Sequence, residues 1–384
     1  MFLVRKIFIV IFFITSLFIV QLKTFAHHQD QLMIKSEAAV VMDAQTGAVL
    51  YGKNADEKMY PASLTKIATA IYAIENGDLQ DKVTISKNVV NTDGTKVYLE
   101  EGEVVTLHHL LQGMLINSGN DAAVAIAEHL NGSDEQFSNS LNKYLKEKIG
   151  VTNTHFTNPN GLFDENHYTT AEDLAKITNY AMKNNVFKEI FGTKELQWDG
   201  LSWDTTLITH HQMLKGEIPY PGITGGKTGY VDESKQTLAT TADNGQMKLT
   251  AIVLKADNKK TIYNETIQLL DYGFQNFKTS YLPKSKTFTV KNKKFKLTDP
   301  MFISEPINGV NYVVSNKGLL QIQTKDLETV QTVQLTPVEK EIHEQPVSKI
   351  HETKEPLNKM NALYGTLFLA VSGLAYSLIK KNKK

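Results

Sequence analysis

A serine and a lysine three residues apart, Ser63 and Lys66, occur in the stretch PASLTK at the start of an apolar run with helical spacing. One helical turn places both side chains on one face, so the lysine amine can reach the serine hydroxyl and take its proton. The pattern alone is ambiguous, because a serine before a helix is most often an N-cap and S-x-x-K recurs at Ser140 and Ser377. The pattern is therefore compatible with Ser63 as a helix cap or as a nucleophile, and other sequence patterns are needed to choose between them.

Two further short patterns follow Ser63 along the chain. Ser118 and Asn120 form S-x-N in the stretch NSGN, directly after the apolar run TLHHLLQGMLI, and residues 227–229 read KTG just before a predicted β-hairpin. Each has an ordinary structural explanation, since Ser118 can cap the next helix and KTG can be a glycine turn entering a strand. Together, and in this order, they favour one shared catalytic site.

The other two S-x-x-K serines have simpler explanations. Ser140 lies among polar residues of a predicted helix, where Lys143 is a solvated neighbour. Ser377 lies in an uncharged C-terminal stretch that is predicted to enter the membrane. Neither is a candidate nucleophile.

The elements that must position the three patterns predict an α+β fold. A helix is expected from Ser63 to Gly77. More helices are expected in the middle of the chain, at residues 106–116, 120–130, 134–149 and 170–191, the last capped by Thr169 or Thr170. Hairpins are expected on both sides, at residues 38–53 and around Gly245, the second followed by a helix at 260–277. This order predicts a sheet assembled from the N- and C-terminal parts of one domain.

Composition divides the chain into segments with different expected roles. The main α+β domain is expected at residues 27–280, and short β-prone runs predict a small β-rich domain at 281–337. The segments around them are a signal peptide at 1–26, a charged linker at 338–361, a transmembrane anchor at 362–379 and a basic cytoplasmic tail at 380–384.

Two apolar stretches predict export and membrane attachment. Residues 1–26 have a basic start, an apolar stretch and a small residue at Ala26, as in a secretory signal peptide; an uncleaved anchor is the alternative. Residues 362–379 carry no charge, span roughly 27 Å as a helix and precede KKNKK, which the positive-inside rule keeps cytoplasmic. An amphipathic helix lying on the membrane is the alternative to a spanning one. The bulk of the chain is expected outside the cytoplasm.

Composition also excludes several classes of function. Lys plus Arg and Asp plus Glu are 41 each and scattered, so no nucleic-acid partner is expected. The chain has no cysteine, which removes thiol catalysis and cysteine zinc sites. The paired histidines lack the spacing of known helical metal motifs, so neither a metal nor another cofactor is expected.

The three patterns together resemble a known family. PASLTK, SGNDAA and GGKTGY are similar to the motifs of the low-molecular-weight penicillin-binding proteins that act as serine-type D-alanyl-D-alanine carboxypeptidases, peptidase family S11. THFTNPNGL and HYTTAEDLA, at residues 154–162 and 167–175, also resemble that family. The resemblance covers residues from about 36 to 275. It implies the penicillin-binding transpeptidase fold: an antiparallel sheet flanked by helices, with a helical region attached.

The resemblance implies roles for the motif residues. Ser63 is the expected nucleophile and Lys66 its base, neutral because of burial and the nearby cation of Lys227. Ser118 is expected to relay a proton to the leaving amine, and Asn120 to hold the substrate amide or Lys66. The expected substrate contacts are a carboxylate site at Lys227 and Thr228, room for substrate backbone at Gly229, and an oxyanion hole of the Ser63 and Tyr230 N–H groups.

The resemblance also implies partners and leaves rivals open. Peptidoglycan stem peptides ending in D-Ala-D-Ala are the expected substrates, and β-lactam antibiotics the expected covalent inhibitors. One rival is a class A β-lactamase, which needs a glutamate after S-x-N; no E-x-x-L-N occurs at a suitable place. A non-catalytic penicillin- or wall-binding protein is another rival, and transpeptidation differs only in the acceptor of the acyl group.

Several residues outside the three motifs stay without a firm assignment. His210 and His211 stand where many relatives carry an asparagine-containing segment, which leaves substrate contacts there open. His167 is expected to be structural rather than a general base. Trp198 and Trp203 are interpreted as packing residues or contacts to a sugar strand.

Overall fold

The computed structural model describes residues 32–338. Its strands are β1 (Ala38–Asp43), β2 (Val49–Lys53), β3 (Lys82–Thr84), β4 (Val104–Thr106), β5 (Glu195–Asp199), β6 (Asp204–Ile208), β7 (Ile223–Val231), β8 (Lys235–Asp243), β9 (Lys248–Ala256), β10 (Phe277–Leu282), β11 (Thr287–Val290), β12 (Lys293–Lys296), β13 (Met301–Pro306), β14 (Asn311–Val314), β15 (Leu319–Gln323), β16 (Thr329–Gln334) and β17 (Thr336–Pro337). Its helices are α1 (Thr65–Asn76), α2 (Lys87–Val90), α3 (Leu107–Ile116), α4 (Asn120–Asn131), α5 (Asp134–Tyr144), α6 (Ala171–Ala181), α7 (Asn185–Phe191), α8 (Gln212–Lys215) and α9 (Lys259–Asn276). A 3-10 turn, Ala62–Leu64, precedes α1, and a π-helical turn, Leu145–Ile149, follows α5.

The main sheet joins the N- and C-terminal parts of the main α+β domain, as the sequence predicts. Its five strands are antiparallel in the order β2-β1-β9-β8-β7. Both predicted hairpins, β1–β2 and β8–β9, are present. The predicted α+β class is confirmed.

Strand β1 is buried along its whole length because both faces of the sheet are covered. Ala38 and Val40 pack into the core formed with the central helices, whereas Ala39 and Val41 pack into a second core formed with α9. A strand that is buried on both faces reads as a continuous apolar run, and AAVVM is such a run. The sheet is therefore held rigidly between two apolar layers.

The central helices follow the sequence prediction with one correction. The single helix expected at 170–191 is two helices, α6 and α7, because the Asn184 side chain accepts from the Phe187 N–H and caps a new helix. Thr170 caps α6, as expected, by accepting from the Asp173 N–H at 3.0 Å. Helix propensity alone predicts one continuous helix here, whereas the side-chain cap at Asn184 begins a second helix.

The C-terminal part of the described chain is β-rich, and its first strand begins earlier than predicted. Strand β10 starts at Phe277, directly after α9, so the predicted boundary at residue 281 falls inside a strand. The eight strands β10–β17 form three small sheets around their own apolar core, which includes Phe295 and Ile303. The Asp43 carboxylate accepts from Thr279 and Ser304, at 3.0 and 2.7 Å, and so ties the β-rich part to β1.

The predicted signal peptide, the linker from residue 339 onward, the anchor and the basic tail lie outside the described residues. Within residues 32–338, no helix has the length and apolar character needed to cross a membrane.

Candidate active site

The turn that carries Ser63 has an uncommon backbone conformation. Ala62, the residue before Ser63, has a φ of 48°, which residues with a side chain rarely adopt. The Thr65 hydroxyl donates to the Ala62 carbonyl oxygen at 2.8 Å, and a Cβ at Gly161 would collide with the same carbonyl. Neither the 3-10 turn nor α1 has a side-chain cap, so the Ser63 hydroxyl is not used as one. The structure thereby removes the capping interpretation of Ser63.

Lys66 lies one turn after Ser63 and is fully buried. Its Nζ is 2.9 Å from Ser63 Oγ, 2.7 Å from Asn120 Oδ1 and 2.6 Å from the carbonyl oxygen of Asn160. All three partners are neutral oxygens. A neutral amine can donate to Asn120 and Asn160 and keep its lone pair for the Ser63 hydroxyl proton.

The electrostatic environment favours this neutral form. Burial lowers the pKa of Lys66 well below its ordinary value, and the nearby Lys227 lowers it further. Asp121 acts in the opposite direction on the pKa of Lys66 but is the smallest of the three causes. A lowered pKa favours the neutral amine, and a neutral amine in contact with a hydroxyl is suited to general-base work.

Ser118 and Asn120 are held opposite Ser63 by the turn between α3 and α4. Ser118 has a φ of 65°, and its Oγ accepts from Lys227 Nζ at 2.9 Å. The N-cap position of α4 is Gly119, which makes no side-chain cap, so Ser118 does not cap that helix. The amide of Asn120 bridges two elements, because Oδ1 accepts from Lys66 and Nδ2 donates to the Asp93 carbonyl at 2.7 Å.

The K-T-G residues lie inside a strand, not in a turn before one. Lys227, Thr228 and Gly229 belong to β7, the edge strand of the main sheet nearest Ser63. Lys227 Nζ also donates to the Thr228 carbonyl at 2.9 Å, and burial lowers its pKa to about 7. A Cβ at Gly229 would lie 2.9 Å from the Ser63 amide nitrogen. Only glycine lets this strand pass so close to the nucleophile.

A cavity of about 610 Å³ opens at these residues. Five of the eight predicted site residues line it directly, Ser63, Ser118, Thr228, Gly229 and Tyr230, while Lys66, Asn120 and Lys227 are bonded behind them. The ring of Tyr230 is 53% exposed at the cavity, and its hydroxyl donates to Asp232. The remaining lining residues are Thr95, His210, Gln212, Lys215, Glu217, Gln236, Thr237, Leu238, Lys259, Ile262 and Tyr263. The sequence patterns therefore meet at one cleft.

Comparison with known proteins agrees with this geometry. The family model described as D-alanyl-D-alanine carboxypeptidase, peptidase family S11, matches residues 23–258. The chain belongs to this family. D-alanyl-D-alanine carboxypeptidase DacF of Bacillus subtilis is 36% identical over 301 residues, covering 75% of this chain and 74% of the relative. DacA of Haemophilus influenzae is 34% identical over 269 residues, covering 64% and 63%.

Solved structures show the same fold. Penicillin-binding protein 5 from Haemophilus influenzae superposes with a TM-score of 0.67 at 27% identity, covering 79% of this chain and 96% of that one. DacD from Francisella tularensis superposes with a TM-score of 0.68 at 23% identity, covering 80% and 93%, which speaks for the fold alone. The chain is a serine hydrolase of the D-alanyl-D-alanine carboxypeptidase family with the penicillin-binding fold, and its activity belongs to peptidoglycan maturation.

The carboxypeptidase site also contains a buried histidine that orders the nucleophile turn. The Thr157 N–H donates to His167 Nδ1 at 3.0 Å, so Nε2 carries the proton and donates to Thr65 Oγ1 at 2.8 Å. Thr65 in turn donates to Ala62, which completes a chain of donors ending at the strained turn. Burial lowers the pKa of His167 to about 3, so it is neutral. The structural role expected for His167 agrees with these contacts.

Sequence reasoning missed two groups that shape the site. The Asn160 carbonyl is a third acceptor for Lys66, although 94 residues separate the two. The buried Asp121 carboxylate accepts from the Val97 and Leu99 N–H groups, at 3.0 and 3.3 Å, and so holds the loop before α3 against α4. SGNDAA gave a signal for Asp121, because an acidic residue there is in the first turn of a helix. Nothing in the sequence pointed to a backbone carbonyl.

The structure shows the contacts of three residues that the sequence left without a firm assignment, His210, His211 and Trp198. His211 caps α8 by accepting from the Leu214 N–H at 3.0 Å and contacts Thr240 through Nε2, while His210 lines the cleft. Trp198 is fully buried and stacks on His109 with ring centroids 4.0 Å apart, so it is a packing residue. Within the described residues, no group of three or more His, Asp or Glu side chains could hold a metal ion.

Proposed function

We propose that the protein removes the terminal D-alanine from peptidoglycan stem peptides that end in D-Ala-D-Ala, by way of an acyl-enzyme on Ser63. The observation that carries this proposal is the 2.9 Å contact between Ser63 Oγ and the buried Nζ of Lys66, whose pKa burial and Lys227 depress. A serine hydroxyl needs such a base, because it is a weak nucleophile at neutral pH.

In the first step, Lys66 takes the Ser63 proton as Oγ attacks the carbonyl carbon of the penultimate D-alanine. The Asn120 and Asn160 oxygens accept from the resulting ammonium and keep it in place. The carbonyl oxygen becomes an oxyanion, which we expect the N–H groups of Ser63 and Tyr230 to bind. One such donor contributes about 2.7–4 kcal/mol to the stability of a transition state.

In the second step, the bond to the terminal D-alanine breaks and its nitrogen takes a proton. Ser118 Oγ faces the cleft and supplies that proton, since its hydroxyl is bonded to Lys227 Nζ on the other side. The buried Lys227, with its pKa lowered to about 7, can replace the proton on Ser118. Each of the two serines is thus bonded to its own lysine, Ser63 to Lys66 and Ser118 to Lys227.

The C-terminal carboxylate of the substrate fits the K-T-G strand. Thr228 lines the cavity and Lys227 lies directly behind it, so a hydroxyl and a cation are available to an anion there. The missing side chain at Gly229 leaves room for peptide backbone along the edge strand. A β-lactam has an amide-like carbonyl and a carboxylate at similar positions, so we expect it to acylate Ser63 as well.

Water completes the cycle by hydrolysing the acyl-enzyme: its oxygen attacks the ester carbonyl, its proton returns through Ser118 to the neutral Lys227, and the Ser63 Oγ leaves with the proton held by Lys66. The same ester would pass to an amine in a transpeptidase, so the two reactions differ only in the acceptor of the acyl group. A class A β-lactamase is not favoured, because within residues 32–338 no carboxylate hydrogen-bonds to Ser63 or Lys66. A non-catalytic binding protein is not favoured either, because both serine–lysine pairs are present at the cleft.

We also propose that the catalytic part acts outside the cytoplasmic membrane. The signal-like residues 1–26 and the uncharged residues 362–379 followed by KKNKK support export with a C-terminal anchor. Protease added to intact cells, with the cell wall removed, should release the catalytic part and leave the C-terminus in the membrane. Full protection of the catalytic part would contradict this topology.

The activity is tested by following free D-alanine after addition of a peptide ending in D-Ala-D-Ala. The wild type should release D-alanine, and Ser63→Ala should not. Ser140→Ala is the matched control, because Ser140 belongs to an S-x-x-K pattern away from the cleft, and it should retain the wild-type rate. Absence of release by the wild type, or undiminished release by Ser63→Ala, would refute the proposal.

A further inference from the structure

The β-rich part carries a strongly cationic hairpin. Residues 284–296, which we name the lysine hairpin, include β11 and β12 and read KSKTFTVKNKKFK. Every lysine in it is exposed, and neither Asp nor Glu occurs from residue 278 to residue 298. The lysines are Lys284, Lys286, Lys291, Lys293, Lys294 and Lys296. In a chain with a formal net charge of zero, this is a local concentration of positive charge.

The backbone of the hairpin is part of a packed fold, so its lysines are attached at defined positions. Phe288 pairs with Phe295 across the two strands, and Phe295 is buried in the core of the β-rich part. The inner side of the hairpin is therefore apolar, and the lysines project from a packed scaffold. Cations attached to a folded backbone lose less conformational freedom on binding than cations on a free tail.

Most of these cations are not neutralised within the protein. Lys284 lies 3.8 Å from Asp299, an exposed pair of little strength. Within residues 32–338, Lys291, Lys293, Lys294 and Lys296 form no salt bridge. The charge is thus available to an external anion.

The chain leaves the described structure at this hairpin. Strand β17 pairs with β12, and the Val338 N–H donates to the Lys294 carbonyl at 2.9 Å. The expected anchor begins at residue 362, so 23 residues separate it from Val338. Even a fully extended segment of that length spans at most about 80 Å. The hairpin is the part of the described fold from which the chain continues toward the expected anchor.

An exposed aromatic pair lies next to the hairpin in sequence. Tyr281 and Phe302 face each other across β10 and β13, with ring centroids 5.7 Å apart and exposed fractions of 59% and 44%. Tyr281 is three residues before Lys284. Exposed aromatic rings beside clustered lysines are typical of surfaces that bind lipid headgroups.

We propose that the lysine hairpin docks on the anionic headgroups of the membrane to which the protein is anchored. The proposal rests on the proposed C-terminal anchor for the direction in which the membrane lies. Docking would fix the β-rich part on the lipid surface and limit the distance over which the cleft can reach wall peptides. Attraction to anionic lipid acts only within a Debye length, about 8 Å at physiological salt, so docking requires direct approach of the hairpin.

The absence of cysteine gives a direct test with the full chain. Asn292→Cys places a single thiol between β11 and β12, where a fluorophore can be attached. In proteoliposomes rich in phosphatidylglycerol, headgroup-attached quenchers should quench this label at about 0.1 M salt and release it at about 0.5 M salt. In purely phosphatidylcholine vesicles, the label should stay bright.

Charge-neutral variants test the lysines themselves. Lys291→Gln, Lys293→Gln and Lys294→Gln together should lower the hairpin's apparent affinity for anionic lipid on the order of a hundredfold. The matched control neutralises three exposed lysines elsewhere, Lys143, Lys146 and Lys148, and should leave the quenching unchanged. Both triple variants should release D-alanine from a soluble peptide at the wild-type rate, which reports correct folding.

The experiments distinguish failure of the docking proposal from failure of the proposed anchor. Flotation of the full chain with phosphatidylcholine vesicles at high salt tests the anchor alone. If the anchor fails, docking still predicts flotation with anionic vesicles at low salt. Equal quenching in both lipids, no quenching in either, or no effect of the hairpin variant would overturn docking. Binding to soluble polyphosphate without binding to anionic vesicles would overturn it too, and would assign the hairpin to an anionic polymer.

Discussion

Replacing Asn120 by aspartate tests whether Lys66 must be neutral. The change is nearly isosteric and places a carboxylate oxygen at the position of Oδ1, which is 2.7 Å from Lys66 Nζ. Two opposite unit charges at the 2.7 Å separation of these atoms attract by about 6 kcal/mol at an effective dielectric constant of about 20. Relaxation of the site and penetration of water weaken this attraction, so we take about 3 kcal/mol as the stabilisation of the ammonium relative to the neutral amine.

This stabilisation raises the pKa of Lys66, so a smaller fraction of Lys66 is the neutral amine that acts as the base. A stabilisation of about 3 kcal/mol lowers the ratio of neutral to protonated Lys66 on the order of a hundredfold, and the acylation rate at neutral pH falls by up to the same factor. Because the base reforms as the pH rises, the rate of Asn120→Asp should climb with pH and approach the wild-type rate in alkaline buffer. The assay is the rate of labelling by a fluorescent penicillin, measured from pH 6 to pH 10 at about 25 °C.

Asn117→Asp is the matched control. It adds the same charge three residues away, on a side chain whose amide donates to the Lys96 carbonyl and does not contact Lys66. Its rate should keep the pH dependence of the wild type. An equal loss for Asn120→Asp at every pH would show that Asn120 acts only on the substrate, and undiminished labelling at neutral pH would refute the role given to Lys66.

Three further predictions follow from named contacts. Burial lowers the pKa of Lys227 from 10.5 to about 7, so between these pH values the unfolded chain holds a proton on Lys227 that the folded chain lacks, and the free energy of unfolding rises with pH. Denaturant titrations should show a shallower rise of this free energy with pH for Lys227→Met. An equal rise in the variant and the wild type would contradict the prediction. Gly229→Ala places a Cβ against Thr237 Oγ1 and 2.9 Å from the Ser63 amide nitrogen, so it should lower Tm and slow acylation about a hundredfold, whereas Gly52→Ala should not slow acylation; an undiminished rate in Gly229→Ala would contradict the steric argument. His167→Ala removes the donor to Thr65 and should lower both Tm and the acylation rate. The shape of the pH–rate profile should not change, because His167 is neutral. If the variant lost the rise or the fall of the rate with pH, His167 would be a general base or acid and the structural role would be wrong.

The sequence indicated which residues come together at the site, but not the contacts through which they do so. Spacing along one helix turn placed Lys66 beside Ser63, because that contact is local. Three motifs in a fixed order then identified Ser118, Asn120 and Lys227 through the family resemblance. The contacts that unite them join residues 54 and 109 positions apart, which no local pattern encodes.

The details that sequence reasoning missed depend on backbone conformation. The positive φ values of Ala62 and Ser118 are imposed by tertiary contacts, since neither residue type favours them. K-T-G was open to interpretation as a turn because glycine usually marks one, but in this structure the glycine is required by the approach of β7 to Ser63. The break between α6 and α7 depended on one side-chain cap at Asn184.

Mapping the covalent adduct tests the central claim, that Ser63 is the nucleophile and Lys66 its base, most directly. The wild type, Lys66→Met and Ser63→Ala are each incubated with penicillin, digested and analysed by peptide mass. We predict one penicilloyl adduct on the peptide containing Ser63 in the wild type, strongly slowed formation in Lys66→Met, and none in Ser63→Ala. An adduct on Ser118 or Ser140, or wild-type labelling of Lys66→Met, would contradict the account.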